Sequence, residues 1–477
     1  MMHQTFSATS RKLLQNISNQ FNRGSQSLEP CLPVLASFKR NAQKWKKRLI
    51  KKEERKETVY QHAGENTKRA DRVYAWGYAG TGALGVPTFV EPEGNQNPVI
   101  SRNRPYRLRR LDEHNIKVKE VACGFGFTLY MCKAPQGPML LGCGINTDSQ
   151  LGYMQGKHGQ GRLDYVISPA EIKLPFVHPT TTEVRLAAAG RAHSVLVTDK
   201  EGAFSLGNNS CGQCGRTVVE GEEFSGSQII NKVPVPGNVE QISIPLQVVC
   251  GNEHTLFLTE DGEVYSCGLG ADGQTGLGHY NSESKPTLVK GDIEKEKIVQ
   301  LASVAETVMA ISEKGDIFGW GNNEYNQLSV ITEEMQVNVP RHLPFKNVGK
   351  VTRVAVGGTI CGILNDEGQV YVWGYGVLGK GPKLEQSHSP TLIPEILFGR
   401  NEFTSDTTVV DLKAGMHYFV AQTDTNELYS WGNNRHGHLG LGHADAQFFP
   451  FKVSVPAEVF KFACGVDHMV ALTKAFA

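Results

Sequence analysis

The chain has 477 residues, is 20% charged and carries a formal net charge of +1. It holds no apolar run near the ~20 residues that a membrane-spanning helix needs, and its 10 cysteines are too sparse for the disulfide framework of a small secreted domain. Residues 1–57 contain 13 of the 49 basic residues but only 4 of the 48 acidic ones, so the remainder holds 36 basic against 44 acidic residues. That balance excludes a polycationic body and disfavours broad binding of nucleic-acid phosphates by it, leaving room for a local basic face; DNA is not expected as a partner.

Residues 1–35 read as a targeting segment. The opening MMHQTFSATSRKLLQNISNQFNRGSQSL contains Arg11, Lys12 and Arg23, is rich in serine and has no acid before Glu29. Phe6, Leu13, Leu14, Ile17 and Phe21 can share one helical stripe. A basic, acid-poor, amphipathic start is the pattern of mitochondrial import. A disordered tail is the alternative.

Residues 36–70 read as a basic linker with helical potential. Within ASFKRNAQKWKKRLIKKEERKE, residues 36–57, Phe38, Trp45 and Leu49 fall on one helical face. Three readings stay open: a helix on an anionic membrane surface, contact with RNA phosphates, or a solvated linker.

From residue 71 to 477 a repeat takes over. An apolar run ends in an aromatic or small residue and a glycine, and a polar turn and Leu-Gly follow. The copies are YAWGYAGTGALG, LGCGINTDSQLG, FSLGNNSCGQCG, YSCGLGADGQTGLG, FGWGNNEYNQL, YVWGYGVLG and WGNNRHGHLG. Their marker glycines are 77, 144, 207, 268, 321, 374 and 432, at intervals of 67, 63, 61, 53, 53 and 58 residues. A second motif, Gly-x-x-His after an apolar strand, is clearest in VVCGNEHTLFL (Val248–Leu258) and FACGVDHMVAL (Phe462–Leu472). It is good in LAAAGRAHSVLV, has Phe127 or Tyr418 in the histidine place elsewhere, and is most worn in LASVAETVMAI (Leu301–Ile311). Acidic-Gly turns such as TEDG, SEKG and NDEG join the two motifs into hairpins.

The two ends of the chain complete one unit. The first copy lacks a Gly-x-x-His half before it, and the last lacks a Trp-Gly half after it. A closed ring needs this arrangement. The reading is all-β: a seven-bladed propeller over 71–477, closed by pairing the strand near Val73 with that near Val470, and preceded by the basic extension. Three long connectors, Pro87–Lys117, Tyr153–Glu183 and Arg216–Pro245, read as loops where partners bind.

Several motifs dissolve into the repeat. GYGVLGKG (Gly374–Gly381) nearly matches a phosphate loop, but Gly381 stands where a magnesium-holding hydroxyl is needed. GLGADG (Gly268–Gly273) has no helix expected after it. Cys211-Gly-Gln-Cys214 has redox or metal spacing but no second pair to complete a zinc set. His193, His254 and His468 recur at one blade position, so they read as buried hydrogen-bonding residues. No acid/base pair or nucleophile stands apart from the repeat. No enzymatic chemistry, cofactor or metal is expected.

The paired motifs, seven times over with the terminal split, resemble the regulator-of-chromosome-condensation propellers over about Asp71 to Thr473. YAGTGALGVP, NNSCGQCGR and GADGQTGLGHYN are most similar to a mitochondrial member of that family. The resemblance implies guanine-nucleotide exchange on a GTPase, with an acidic residue before the recurring histidine facing the partner and a hairpin pushing into it. Glu253 of GNEH and Asp467 of GVDH match that position, while GRAH offers Arg191 and Ala192. It further implies a mitochondrial location on the matrix side of the inner membrane, with peripheral membrane association, and the dynamin-like GTPase of inner-membrane fusion as partner. The alternative it implies is a scaffold in a protein–RNA module for mitochondrial large-subunit rRNA, alongside pseudouridine synthases, supporting ribosome assembly and translation. One exposed patch of Arg102, Arg104, Arg107, Arg109 and Arg110 would favour RNA. Glu253 and Asp467 on one open face ringed by loops would favour a GTPase. A propeller hydrolase would need carboxylates or histidines lining the central channel.

Overall fold

Each copy of the repeat supplies apolar runs separated by turns that only glycine or a short polar residue can make, and these runs pair as antiparallel strands. The computed structural model describes residues 70–476, apart from 95, 157–160 and 236–243. The targeting segment 1–35 and, but for Ala70, the linker 36–70 lie outside the described residues.

The described strands form seven four-stranded sheets, the blades of a propeller. Blade 3 shows the plan: an inner strand Gln247–Cys250, a second His254–Leu258, a third Val264–Gly268 and an outer Glu283–Leu288, all antiparallel neighbours. Blades 1 and 2 span 117–171 and 184–233, and blades 4, 5 and 6 span 298–342, 351–392 and 409–452. Blade 7 is composite. Glu458–Cys464 and His468–Lys474 are its inner strands, and Asp71–Tyr78 and Ser101–Arg107 its outer ones. Val73 lies opposite Leu472, and Ala75 opposite Val470. The long connectors are only partly loops. They contain the outer strands Ser101–Arg107, Tyr165–Glu171 and Asn231–Val233, as well as two short helices, Pro87–Val90 and Arg109–Glu113.

The marker glycines are dictated by close approach. All seven have φ between +94° and +126°. A Cβ on Gly268 would lie 2.4 Å from the Glu253 carbonyl oxygen, and one on Gly321 2.1 Å from that of Glu306. Each marker glycine pairs with the first residue of the second strand, as Gly268 does with His254 and Gly77 with His468. The glycine of Gly-x-x-His is fixed the same way: a Cβ on Gly251 would meet His254 Cε1 at 2.1 Å. Blade 4 has Thr307 in the histidine place, with no ring above the turn, so Val304 can replace that glycine.

The recurring polar side chains sew one blade to the next. His193, His254 and His468 bond through Nε2 to Thr255, Ser303 and Thr128 of the following blade, at 3.0, 3.3 and 2.8 Å. The Tyr418 hydroxyl donates to the Gly465 carbonyl at 2.8 Å. In the opposite direction, the indole N–H groups of Trp76, Trp320 and Trp373 donate to carbonyls of His438, Gln274 and Gln327 in the preceding blade, at 2.8, 3.0 and 2.8 Å. These tryptophans are fully buried between blades.

Candidate partner-binding face

Strand order places the turn between the first two strands and the connector between the last two on one face, here the upper face. The residue before the histidine place projects from this turn in every blade. Around the ring it is Gly126, Ala192, Glu253, Glu306, Thr359, His417 and Asp467. Its backbone is held identically each time, because the residue after the marker glycine donates to its carbonyl. Leu269 donates to Glu253 at 2.7 Å, Asn322 to Glu306 at 3.1 Å and Tyr78 to Asp467 at 2.7 Å. Glu253 and Asp467 therefore share one face, on well-separated blades, ringed by the connectors. Sequence motifs missed the third carboxylate, Glu306, because its copy has neither the glycine nor the histidine. The signal was available by counting from the marker glycine, since Thr307 pairs with Gly321 as His254 pairs with Gly268.

The three carboxylates sit in different company. Glu253 accepts from Arg191 Nη1 at 3.2 Å, with side chains 30% and 61% exposed. Glu306 accepts from the Asn252 amide. Burial, and then the like charges of Asp272 and Glu253, push the Glu306 carboxyl up. Asp467 neighbours His417, whose ring is pushed down chiefly by burial and only partly restored by that carboxylate. On the same face the connector of blade 1 doubles back as a hairpin: Leu163 donates to Met154 at 2.9 Å and Gly156 to Gly161 at 3.0 Å.

The five arginines line the outer rim of blade 7. Arg102 pairs with Gly77 near the upper face, and its guanidinium lies 5.2 Å from the Tyr106 ring. Arg104 is exposed. Arg107, opposite Tyr74, approaches the lower face and holds Asp112 at 2.8 Å. Arg109 and Arg110 are exposed on the helix that follows, where Arg110 reaches Ser168. The row thus runs from one face to the other.

The inner strands surround a central channel of about 680 Å³ lined mainly by small and aliphatic residues. The carboxylate on its wall, Asp411, lies between Arg353 at 3.6 Å and Lys413 at 3.8 Å. No cluster of three metal-binding side chains occurs among the described residues. Cys214 is buried, its thiol pushed up to about 12 by desolvation, and Cys211 is also raised by burial. Neither thiol is poised for redox chemistry. Lys380, in the phosphate-loop-like stretch, donates to the Leu392 carbonyl at 2.7 Å, and a strand rather than a helix follows GLGADG.

Residues 230–475 match the RCC1-like domain, and residues 70–131 match the regulator of chromosome condensation (RCC1) repeat. The chain is 48% identical over 427 residues to the RCC1-like G exchanging factor-like proteins of Mus musculus and Homo sapiens, covering 88% of this chain and 90% of each relative. It is similar to the crystal structure of human WBSCR16 with a TM-score of 0.79 and 46% identity, covering 86% of this chain and 100% of that one. Yeast RCC1 (Prp20), solved bound to Kap60, shares the fold with a TM-score of 0.69 at 19% identity, over 86% of this chain and 90% of that one. Matches of this extent establish that the chain belongs to the RCC1-like family of repeat propellers.

Proposed function

We propose that the chain acts by binding a GTPase across its upper face and favouring the nucleotide-free form, that is, by guanine-nucleotide exchange. The observation that carries this reading is the set of three carboxylates, Glu253, Glu306 and Asp467, at one structural position on one face. Exchange requires only stronger binding of the empty state than of the loaded one. A carboxylate does this by pairing with the phosphate-loop lysine once phosphate leaves, a charge-assisted bond unavailable while the nucleotide is bound. The relatives described as G exchanging factor-like support the same reading. The partner we propose is the dynamin-like GTPase of mitochondrial inner-membrane fusion, met on the matrix side of the inner membrane by a peripherally associated propeller.

The test is release of a fluorescent GDP analogue from that GTPase. Glu253→Ala, Glu306→Ala and Asp467→Ala should each slow catalysed release, with an engaged acid contributing about tenfold, the effect of ~1.4 kcal/mol. Thermal stability should stay nearly unchanged. A triple variant that releases nucleotide like wild type would sink the proposal.

A second reading follows from the exposed Arg104, Arg109 and Arg110 at the rim. In it they contact rRNA phosphates in a module with pseudouridine synthases while the upper face stays free. RNase treatment of a matrix pull-down separates the two readings: partners lost with RNA support scaffolding, and a GTPase retained and strengthened after EDTA stripping supports exchange.

A further inference from the structure

Among the described residues, Glu253 is the one of the three upper-face carboxylates held in an ion pair, and the cation comes from its own chain. The position that supplies it does not require a charge. The residue two before the histidine place is Phe125, Asn252, Ala305, Gly358, Met416 and Val466 in the other blades, and Arg191 in blade 2. The Arg191 backbone is fixed by donation to the Asn252 carbonyl at 3.2 Å, so the side chain alone is free to move. The guanidinium meets Glu253 through one nitrogen only, at 3.2 Å, and is 61% exposed. A one-point contact between a well-exposed arginine and a half-buried acid is easily exchanged. A bidentate, desolvated pair would not be.

The surroundings give the pair a task. Glu253 and Asp272 both lie close enough to Glu306 for their charges to be felt there, and Glu306 is already raised, chiefly by burial. Without the Arg191 cation, Glu253 would be an unbalanced negative charge beside the already raised Glu306. That would make an attractive site for any basic surface.

We propose that Arg191 is a built-in stand-in for the partner's cation: it occupies Glu253 in the free protein and swings away when a GTPase lysine takes its place. This rests on the exchange reading and adds a gate to it. The swap leaves the charge on Glu253 balanced throughout. It also sets selectivity, because a partner must offer a cation placed well enough to displace the arginine. A merely basic surface gains little.

The test uses the full chain and the mitochondrial dynamin-like GTPase loaded with a fluorescent GDP analogue. Arg191→Ala, Arg191→Lys, Glu253→Gln and the Arg191→Ala/Glu253→Gln double variant are compared. Arg191→Ala should speed release about two- to fivefold, the range an exposed ion pair controls. Arg191→Lys should resemble wild type. Glu253→Gln should slow release, and the double variant should match it, because Arg191 acts only through Glu253. The proposal is overturned if Arg191→Ala slows release, changes nothing, or speeds release equally without Glu253. If wild type speeds no release, the exchange reading fails separately. The association rate of the nucleotide-free GTPase with the same four variants then still decides Arg191, with the same order expected and the same reversals overturning it.

Discussion

The recurring histidines show how a single residue couples the fold to pH. Thr255 donates its hydroxyl to the Gln213 carbonyl and Thr128 to that of Ala83, each at 2.8 Å, so each hydroxyl oxygen must accept from histidine Nε2–H. The Ser303 hydroxyl beside His254 likewise donates to the Thr307 carbonyl at 2.9 Å, so His193 and His254 both keep a bare Nδ1 with no partner. A second proton would create a buried N–H without an acceptor. Burial accordingly lowers His193 to about 3, and His254, His438 and His468 to about 4. The folded values lie below the unfolded one of ~6.5, so the unfolded chain binds more protons as pH falls. Stability is therefore fully present above pH ~6.5 and is lost on acidification toward pH 4, by up to ~1.4 kcal/mol per pH unit for each histidine. Urea midpoints at pH 7.5, 6 and 5 should fall steeply. His254→Phe, which copies Phe127 at the equivalent place of blade 1, should start less stable but show a shallower slope. An unchanged slope would mean that this ring titrates freely in the folded state.

At the scale of the blade, the turn after the marker glycine decides which tryptophan is bonded. From Gly268 to Thr275, as in five other copies, the turn spans seven residues, but Gly374 to Leu378 spans four. The shortened turn of blade 5 reaches Val377, which precedes Leu378 as Gln274 precedes Thr275, by a different path, and the Trp431 indole N–H of blade 6 is left without a partner. Removing an unpartnered donor costs less than breaking a made bond and stranding a carbonyl. Trp431→Phe should therefore destabilise the protein by about 1–2 kcal/mol less than Trp373→Phe or Trp320→Phe, as measured by urea unfolding. Equal losses would indicate that indole packing alone matters. The same element explains what the sequence disclosed. The seven third strands were readable because a close backbone approach demands glycine there, whatever the neighbours. The outer strands were not, because their partners are written into no motif and their register breaks beside the marker glycine, as between Ala75 and Gly77. The destination of Arg102 to Arg110 depends on that break, so whether they form one patch could not be read. Glu306 was hidden for the opposite reason: Thr307 relieved its turn of the residues that make the motif visible.

At the scale of the whole molecule, the ring is held by joining its ends. The second strand of the last blade buries Met469, Val470, Ala471 and Leu472, and it pairs along its length with Asp71–Gly77. Side chains of these last strands also reach on to blade 1: Lys461 pairs with Glu120, and the His468 ring with Thr128. A linear stack of blades would lose its terminal unit with a modest loss of stability, since each repeat would lean only on its neighbours. A closed ring has no terminal unit. Ending the chain at Val455 removes both inner strands of blade 7, takes Leu472 and Val470 away from Val73 and Ala75 and opens edges on two sides of the gap. The truncated chain should therefore lose cooperative unfolding altogether and associate through the opened edges, as read by calorimetry and light scattering. A truncated chain that still melts in one transition within a few degrees of the intact protein would show the blades to be independent. In that case the upper face would owe its geometry to local turns alone. If cooperativity is lost, the carboxylates of blades 3, 4 and 7 are held in register by closure. Mutations at the joint should then weaken partner binding on the far side of the ring without touching any residue there.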